Sequence, residues 1–173
     1  SCDCALLAQV AIGLSVVEYG DVFLRHPYTE RVPVSNDSEE LQAKFVLAPQ
    51  EESQKEVAII QADVPGAAVS ATGSHDLKLT LIAQRLGPVN LPLFLKVPGS
   101  TLPPTMITVK ANAIGPRVKI DKKTLNWNTV PVLVDHDKVL TVTNDSPISA
   151  PFKASMHKKG SVFSVEPREG TLK

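Results

Sequence analysis

The chain has 173 residues, 43% of them hydrophobic and 21% charged, the make-up of a globular protein about one and a half typical domains long. Lys plus Arg and Asp plus Glu number 18 each, so no net field recruits nucleic acid or an anionic membrane surface. The two cysteines, Cys2 and Cys4, lie together at the N-terminus and cannot bridge the sheets of a sandwich, which disfavours an extracellular immunoglobulin domain.

Cys2-Asp3-Cys4 offers two thiolates where a structural zinc site needs four ligands, and no second Cys or His cluster supplies the rest, so no metal is expected. Residues 4–17 are the longest apolar stretch, but Gln9 and Ser15 interrupt it. It falls short of the ~20 residues that span a bilayer and lacks the basic flank of a signal peptide; buried strand is the simpler reading.

Period-two alternation then recurs along the chain: Val32 and Val34; Leu77, Leu79 and Leu81; Leu91, Leu93 and Leu95; Ile107 and Val109; Leu140 and Val142. Such alternation marks strands with one face on a core and one in water. It predicts strands near 14–24, 29–36, 42–48, 57–62, 76–86, 90–97 and 105–114, separated by Pro65-Gly66, Thr72-Gly73-Ser74, Gly87-Pro88 and Pro98-Gly99. Fourteen prolines suit strand ends, edges and bulges better than helices. Ser38-Glu39-Glu40-Leu41-Gln42-Ala43-Lys44 alone reads as a helix start, with an N-cap serine and early acidic residues. Ser74-His75-Asp76 has the residue types of a catalytic triad, yet consecutive strand residues point to opposite faces and cannot form a relay. His26, His75, His136 and His157 are scattered outside any metal motif, and neither Gly160-Ser161 nor Gly170-Thr171 has phosphate-loop spacing. No enzymatic activity, cofactor or small-molecule substrate is expected.

The chain also repeats itself at an offset of 108 residues. Val32-Pro33-Val34-Ser35-Asn36-Asp37-Ser38 aligns with Leu140-Thr141-Val142-Thr143-Asn144-Asp145-Ser146, and Tyr19-Gly20-Asp21-Val22 with Trp127-Asn128-Thr129-Val130. One residue out of register, Ala43-Lys44-Phe45 falls on Ala150-Pro151-Phe152. A repeat of that length is one β-sandwich module of about 100 residues. Copy one is expected over residues 5–115; copy two, over 116–173, is expected to be incomplete, a piece of a longer polypeptide. Pro147 and Pro151 in the second copy argue against a long helix at Ser38 in the first. The join, Asn112-Ala113-Ile114-Gly115-Pro116-Arg117-Val118, has no flexible spacer and predicts a semi-rigid array. Residues 1–115 carry 8 basic and 12 acidic side chains and residues 116–173 carry 10 and 6, an asymmetry most simply read as surface drift between duplicated modules.

Each copy thus has an aromatic residue near its first strand (Tyr19, Trp127), a strand ending in Val-x-Asn-x-Ser (Val34, Asn36, Ser38; Val142, Asn144, Ser146) and a later phenylalanine (Phe45, Phe152). The valines and phenylalanines suit a core, and the asparagine and serine can bond local backbone. This layout resembles the ASH/MSP-like family of immunoglobulin-fold modules found in ciliary, centrosomal and flagellar proteins. The second copy is similar to the family through Phe163-Ser164-Val165-Glu166-Pro167 and Gly170-Thr171-Leu172, the pattern F-x-V-x-P-x-x-G-x-L that precedes a further hairpin there. The resemblance implies an all-β fold of tandem seven-stranded sandwiches. It implies a non-enzymatic scaffold in the cytoplasm and cytoskeleton, at the axoneme of motile cilia, with proteins of the central apparatus as partners and microtubules as a further candidate.

The rival reading is an MSP-type adaptor that binds short acidic peptides through a basic groove, with Lys122, Lys123, Lys153, Lys158 and Lys159, joined by Lys119, as contributors. A solvated basic face is the plainer account of those lysines. Asn36-Asp37-Ser38 and Asn144-Asp145-Ser146 match the glycosylation acceptor, but their place in the repeated motif favours a structural role.

Overall fold

The structure, a computed structural model, describes residues 10–100, 102–158 and 160–173. The chain divides after Ile114 into two compact units. Among the described residues it is all-β apart from one helical turn, and no helix there is long and apolar enough to cross a membrane.

The first unit is an immunoglobulin-like sandwich with nine strands among its described residues: β1 (Val10–Ile12), β2 (Val16–Phe23), β3 (Pro27–Asn36), β4 (Ala43–Leu47), β5 (Ala58–Ala62), β6 (Gly66–Val69), β7 (Ser74–Ala83), β8 (Gly87–Lys96) and β9 (Thr105–Ile114). One sheet runs β1-β3-β7-β5 and the other β2-β9-β8-β4-β6. All neighbours are antiparallel except β2, which lies parallel to β9. The alternation that predicted the strands is also what packs them. Val32 and Val34 on β3, Leu77, Leu79 and Leu81 on β7, and Ile107 and Val109 on β9 all turn into one core and are fully buried. Burying each such side chain contributes roughly 1.5–3 kcal/mol before the entropy of ordering the chain is charged against it.

Two strands escaped the sequence reading. β1 has three residues, too few to show a period, and β6 is Gly-Ala-Ala-Val, poor in β-branched residues. Both are fixed by pairing, β1 on β3 and β6 on β4. The helix-like signal at Ser38 is expressed only as one bond, Leu41 N donating to Ser38 Oγ at 3.1 Å. The Asn36 amide takes the Leu41 carbonyl at 2.7 Å, so the chain turns into β4 instead of winding on. The single helical turn, α1 (Glu52–Lys55), lies in the β4–β5 loop behind a capping box of Glu51 and Gln54.

β2 carries a register shift between Glu18 and Asp21, where Gly20 adopts φ +66°, and Arg25 (φ 57°) turns the chain into β3. The second unit repeats both bends: Asn128 has φ 52° and Leu133 has φ 63° at the equivalent positions.

The second unit holds two ribbons. β10 (Val118–Ile120) pairs with β11 (Val142–Asn144), and β12 (Ala150–Lys153) pairs with β13 (Glu169–Leu172). β10 meets β11 in the register of β1 on β3: Val118, Lys119 and Ile120 face Asn144, Thr143 and Val142, as Val10, Ala11 and Ile12 face Asn36, Ser35 and Val34. Leu140, expected to alternate within a strand, lies outside β11 and is exposed.

Candidate protein-interaction site

The repeated motif is built into the backbone. Asn36 closes β3 and is buried, and its Nδ2 donates to the carbonyls of Leu41 (2.7 Å), Val69 (3.1 Å) and Ser70 (3.1 Å). Its Oδ1 accepts from Ser38 N at 3.1 Å. One amide therefore ties the β3–β4 turn to the end of β6, the service a buried polar side chain must perform to offset its desolvation. Asn144 repeats the local half of this clamp, with Nδ2 donating to Ile148 O at 2.7 Å and Ser146 N donating to Oδ1 at 3.2 Å. Ser146 Oγ adds a bond to Asn144 Oδ1 at 2.5 Å.

Val34 and Phe45 are fully buried, while Val142 and Phe152 are half-buried. Tyr19 is half-buried, and its hydroxyl donates to Leu79 O at 2.6 Å across the sandwich. Burial, and secondarily the carboxylate of Glu30, hold its phenol well above the ordinary tyrosine range. Trp127 at the equivalent position donates from Nε1 to His136 O at 3.0 Å, stacks at 5.2 Å on Phe163 and lies under the Lys138 ammonium at 5.6 Å.

Lys119, Lys122, Lys123, Lys153 and Lys158 are exposed. Lys119 forms an ion pair with Asp145 at 2.5 Å, which lowers the aspartate's pKa through the hydrogen bond and the charge together. Lys122 lies 4.0 Å from Asp121, and Lys153 stands cross-strand from Glu169. Lys123 and Lys158 lie in loops; Lys159, like Cys2 and Cys4, lies outside the described residues. A carboxylate thus stands beside three of the five described lysines, diluting the positive face.

Of the triad-like trio, His75 is on the core face of β7, its ring 5.8 Å from Phe45, and Asp76 is on the exposed face. The His75 Nε2 atom is buried without a hydrogen-bond partner. An open cleft of about 290 Å³ at one end of the first unit is lined chiefly by Val10, Leu95, Val97, Leu102 and Pro103, with Asp37 its charged group. Among the described residues no cluster of His, Cys, Asp and Glu is arranged to hold a metal.

No family model matches the chain. Over 156 residues it is 26% identical to the human hydrocephalus-inducing protein homolog and 25% identical to the mouse hydrocephalus-inducing protein. Those alignments cover 90% of this chain and 3% of either relative, so the chain spans a small fraction of their length. Among solved structures, a Porphyromonas gingivalis W83 protein of unknown function superposes with a TM-score of 0.51 at 12% identity, covering 64% of this chain and 55% of that one. An ASH/PapD-like domain of human CEP192 gives 0.49 at 10% identity, over 61% and 85%. The first unit is an immunoglobulin-like sandwich, an asparagine clamp closes a turn in each unit, and over 90% of its length the chain is similar to hydrocephalus-inducing protein.

Proposed function

We propose that the chain is a non-enzymatic structural segment of a motile-cilium protein, one that supports assembly of central-apparatus projections through protein–protein contacts. The alignment to hydrocephalus-inducing protein over 90% of the chain carries this reading. The motif fits it as well, because its polar side chains are committed to backbone carbonyls rather than displayed to a ligand. In this reading residues 5–115 are one module and residues 116–173 belong to the next, and the module surfaces and sheet edges receive neighbouring subunits, with strand addition as the available chemistry.

Tagging the polypeptide that contains this chain and imaging motile cilia with and without a central pair tests it. Axonemal signal that disappears with the central pair is expected. Signal at basal bodies or internal membranes overturns the scaffold and favours the adaptor, which titration of the protein with acidic phenylalanine-containing peptides checks directly.

A further inference from the structure

The two ends of the first unit differ in shape and in charge. At one end the cleft lined by Val10, Leu95, Val97, Leu102 and Pro103 is apolar apart from Asp37 and Ser100, and Leu102 is 52% exposed. Local bonds set its wall: Ser100 N donates to Val97 O at 3.1 Å, and Leu102 N donates to Ser100 Oγ at 3.1 Å. The turn after Asn36, residues 37–42, adds Glu39 and Glu40 to Asp37, all three exposed, and has no cation.

At the other end the β7–β8 turn presents Leu86, 59% exposed, next to the exposed Arg85. Val57 O accepts from Gln84 N at 2.9 Å and from Arg85 N at 3.3 Å, which holds the turn in place. Arg25 joins this end through its own N–H, which donates to Ala83 O at 2.9 Å. The neighbouring α1 commits Glu51 to its capping box and Glu52 to Lys55 at 2.6 Å, leaving Glu56 against the two arginines. Among the described residues, Asp37, Glu39, Glu40, Arg25 and Arg85 make no ion pair.

An exposed leucine beside an arginine at one end therefore matches an apolar cleft beside an aspartate at the other. They cannot meet within one molecule. Leu86 precedes β8 and Val97 follows it, and the ten residues between hold knob and cleft about 30 Å apart.

We propose that the first unit associates head to tail with a second copy of this chain, Leu86 of one copy entering the cleft of the next while its Arg85 pairs with Asp37 there. Apolar burial supplies the attraction, and the charge pair sets the orientation. The contact joins two different patches, so each copy keeps a free knob or a free cleft until a row ends or a ring closes. This surface goes beyond the scaffold reading, and its readout, a mass in solution, is independent of where the protein localises.

Sedimentation velocity of the 173-residue chain from about 10 μM to about 1 mM should show a mass that rises with concentration and passes that of a dimer. Leu86→Asp removes the knob and Asp37→Arg turns the cleft against Arg85; each should weaken association about tenfold or more. Both positions are exposed, so the urea midpoints of the two variants should match the parent. Mixed together, the two variants should form a complex that stops at the dimer, because one supplies only a cleft and the other only a knob. Asp37→Arg combined with Arg85→Asp should restore association. A parent chain that stays monomeric throughout overturns the proposal. So does self-association that neither substitution weakens, a mixture without the dimer, or a charge-reversed double variant no tighter than Asp37→Arg alone.

Discussion

Val22 and Val130 occupy the same place in a repeat, each two residues after a left-handed Gly20 or Asn128, and they end in opposite environments. The first is sealed in a strand between two sheets; the second is in an irregular segment facing water. Local sequence is therefore not what separates strand from coil here. A strand in this fold is a hydrogen-bonding relation: β2 takes its ladder from β9 and β5 takes its ladder from β7, so a strand's formation is settled by its partner as well as by its own residues. Turns behave differently. The bends at 20, 25, 128 and 133 and the asparagine clamps form in both units, because their bonds and dihedral preferences are local.

The largest test of that contrast is in the two cores. Leu79→Ala removes a fully buried side chain from an inner strand of its four-stranded sheet and should cost about 2–5 kcal/mol of unfolding free energy. Leu140→Ala, at an exposed position of the second unit, should stay within about 0.5 kcal/mol. Urea denaturation followed by circular dichroism checks both, and a comparable loss at Leu140 would mean that the second unit has a packed core of its own.

Next come the clamps. Asn36→Ala leaves three carbonyls and the Ser38 amide without their side-chain partner, at least one of the bonds being buried, and should cost about 2–3 kcal/mol. Asn144→Ala breaks a clamp whose bonds are local and half-buried and should cost about 1 kcal/mol or less. If the two substitutions cost the same, the link from Asn36 to Val69 and Ser70 is not what matters.

The repeat, the long strands and the motif residues were legible in the sequence because alternation is a property of each strand by itself: Val32-x-Val34 and Leu77-x-Leu79-x-Leu81 announce their buried faces. β1 and β6 were not, since three or four residues of modest β-propensity become strands only against β3 and β4. The Ser38 signal misled for a related reason: its capping bond forms, but Asn36 claims the carbonyl of Leu41. Neither the unpaired state of 124–131 nor the carboxylates beside Lys119, Lys122 and Lys153 could be read along the chain. Both depend on cross-strand neighbours and turns that the residue order does not display.

Tyr19 and Trp127 set up a comparison by pH. The Tyr19 phenol is held neutral by burial and by Glu30, so its folded pKa lies above the unfolded value of 10. The stability this contributes is complete below about pH 10 and is lost as pH rises toward the folded pKa. Tyr19→Phe should therefore cost about 1 kcal/mol at pH 7, through the lost bond to Leu79, and the deficit should shrink in urea melts at pH 10.5 and 11. Trp127→Phe, which keeps an aromatic ring under the Lys138 ammonium and removes the indole bond to His136 O, gives the comparison for the second copy at pH 7 and should cost about 1 kcal/mol or less. A Tyr19→Phe deficit that stays constant across that range would remove the alkaline asymmetry between the copies.

The smallest effect is a gain. His75 Nε2 is buried beside Phe45 without a partner, on a strand whose next three inward residues are Leu77, Leu79 and Leu81. A polar atom in that position retains its desolvation cost with nothing to offset it. His75→Leu keeps roughly the volume, extends the row Leu77-Leu79-Leu81 by one layer and should raise unfolding free energy by about 1 kcal/mol, read as a higher urea midpoint with an unchanged slope. The substitution lies wholly within the first unit. A destabilised His75→Leu protein would mean that the imidazole is held by a bond, and that the end of the first sandwich is a polar site rather than the edge of its core.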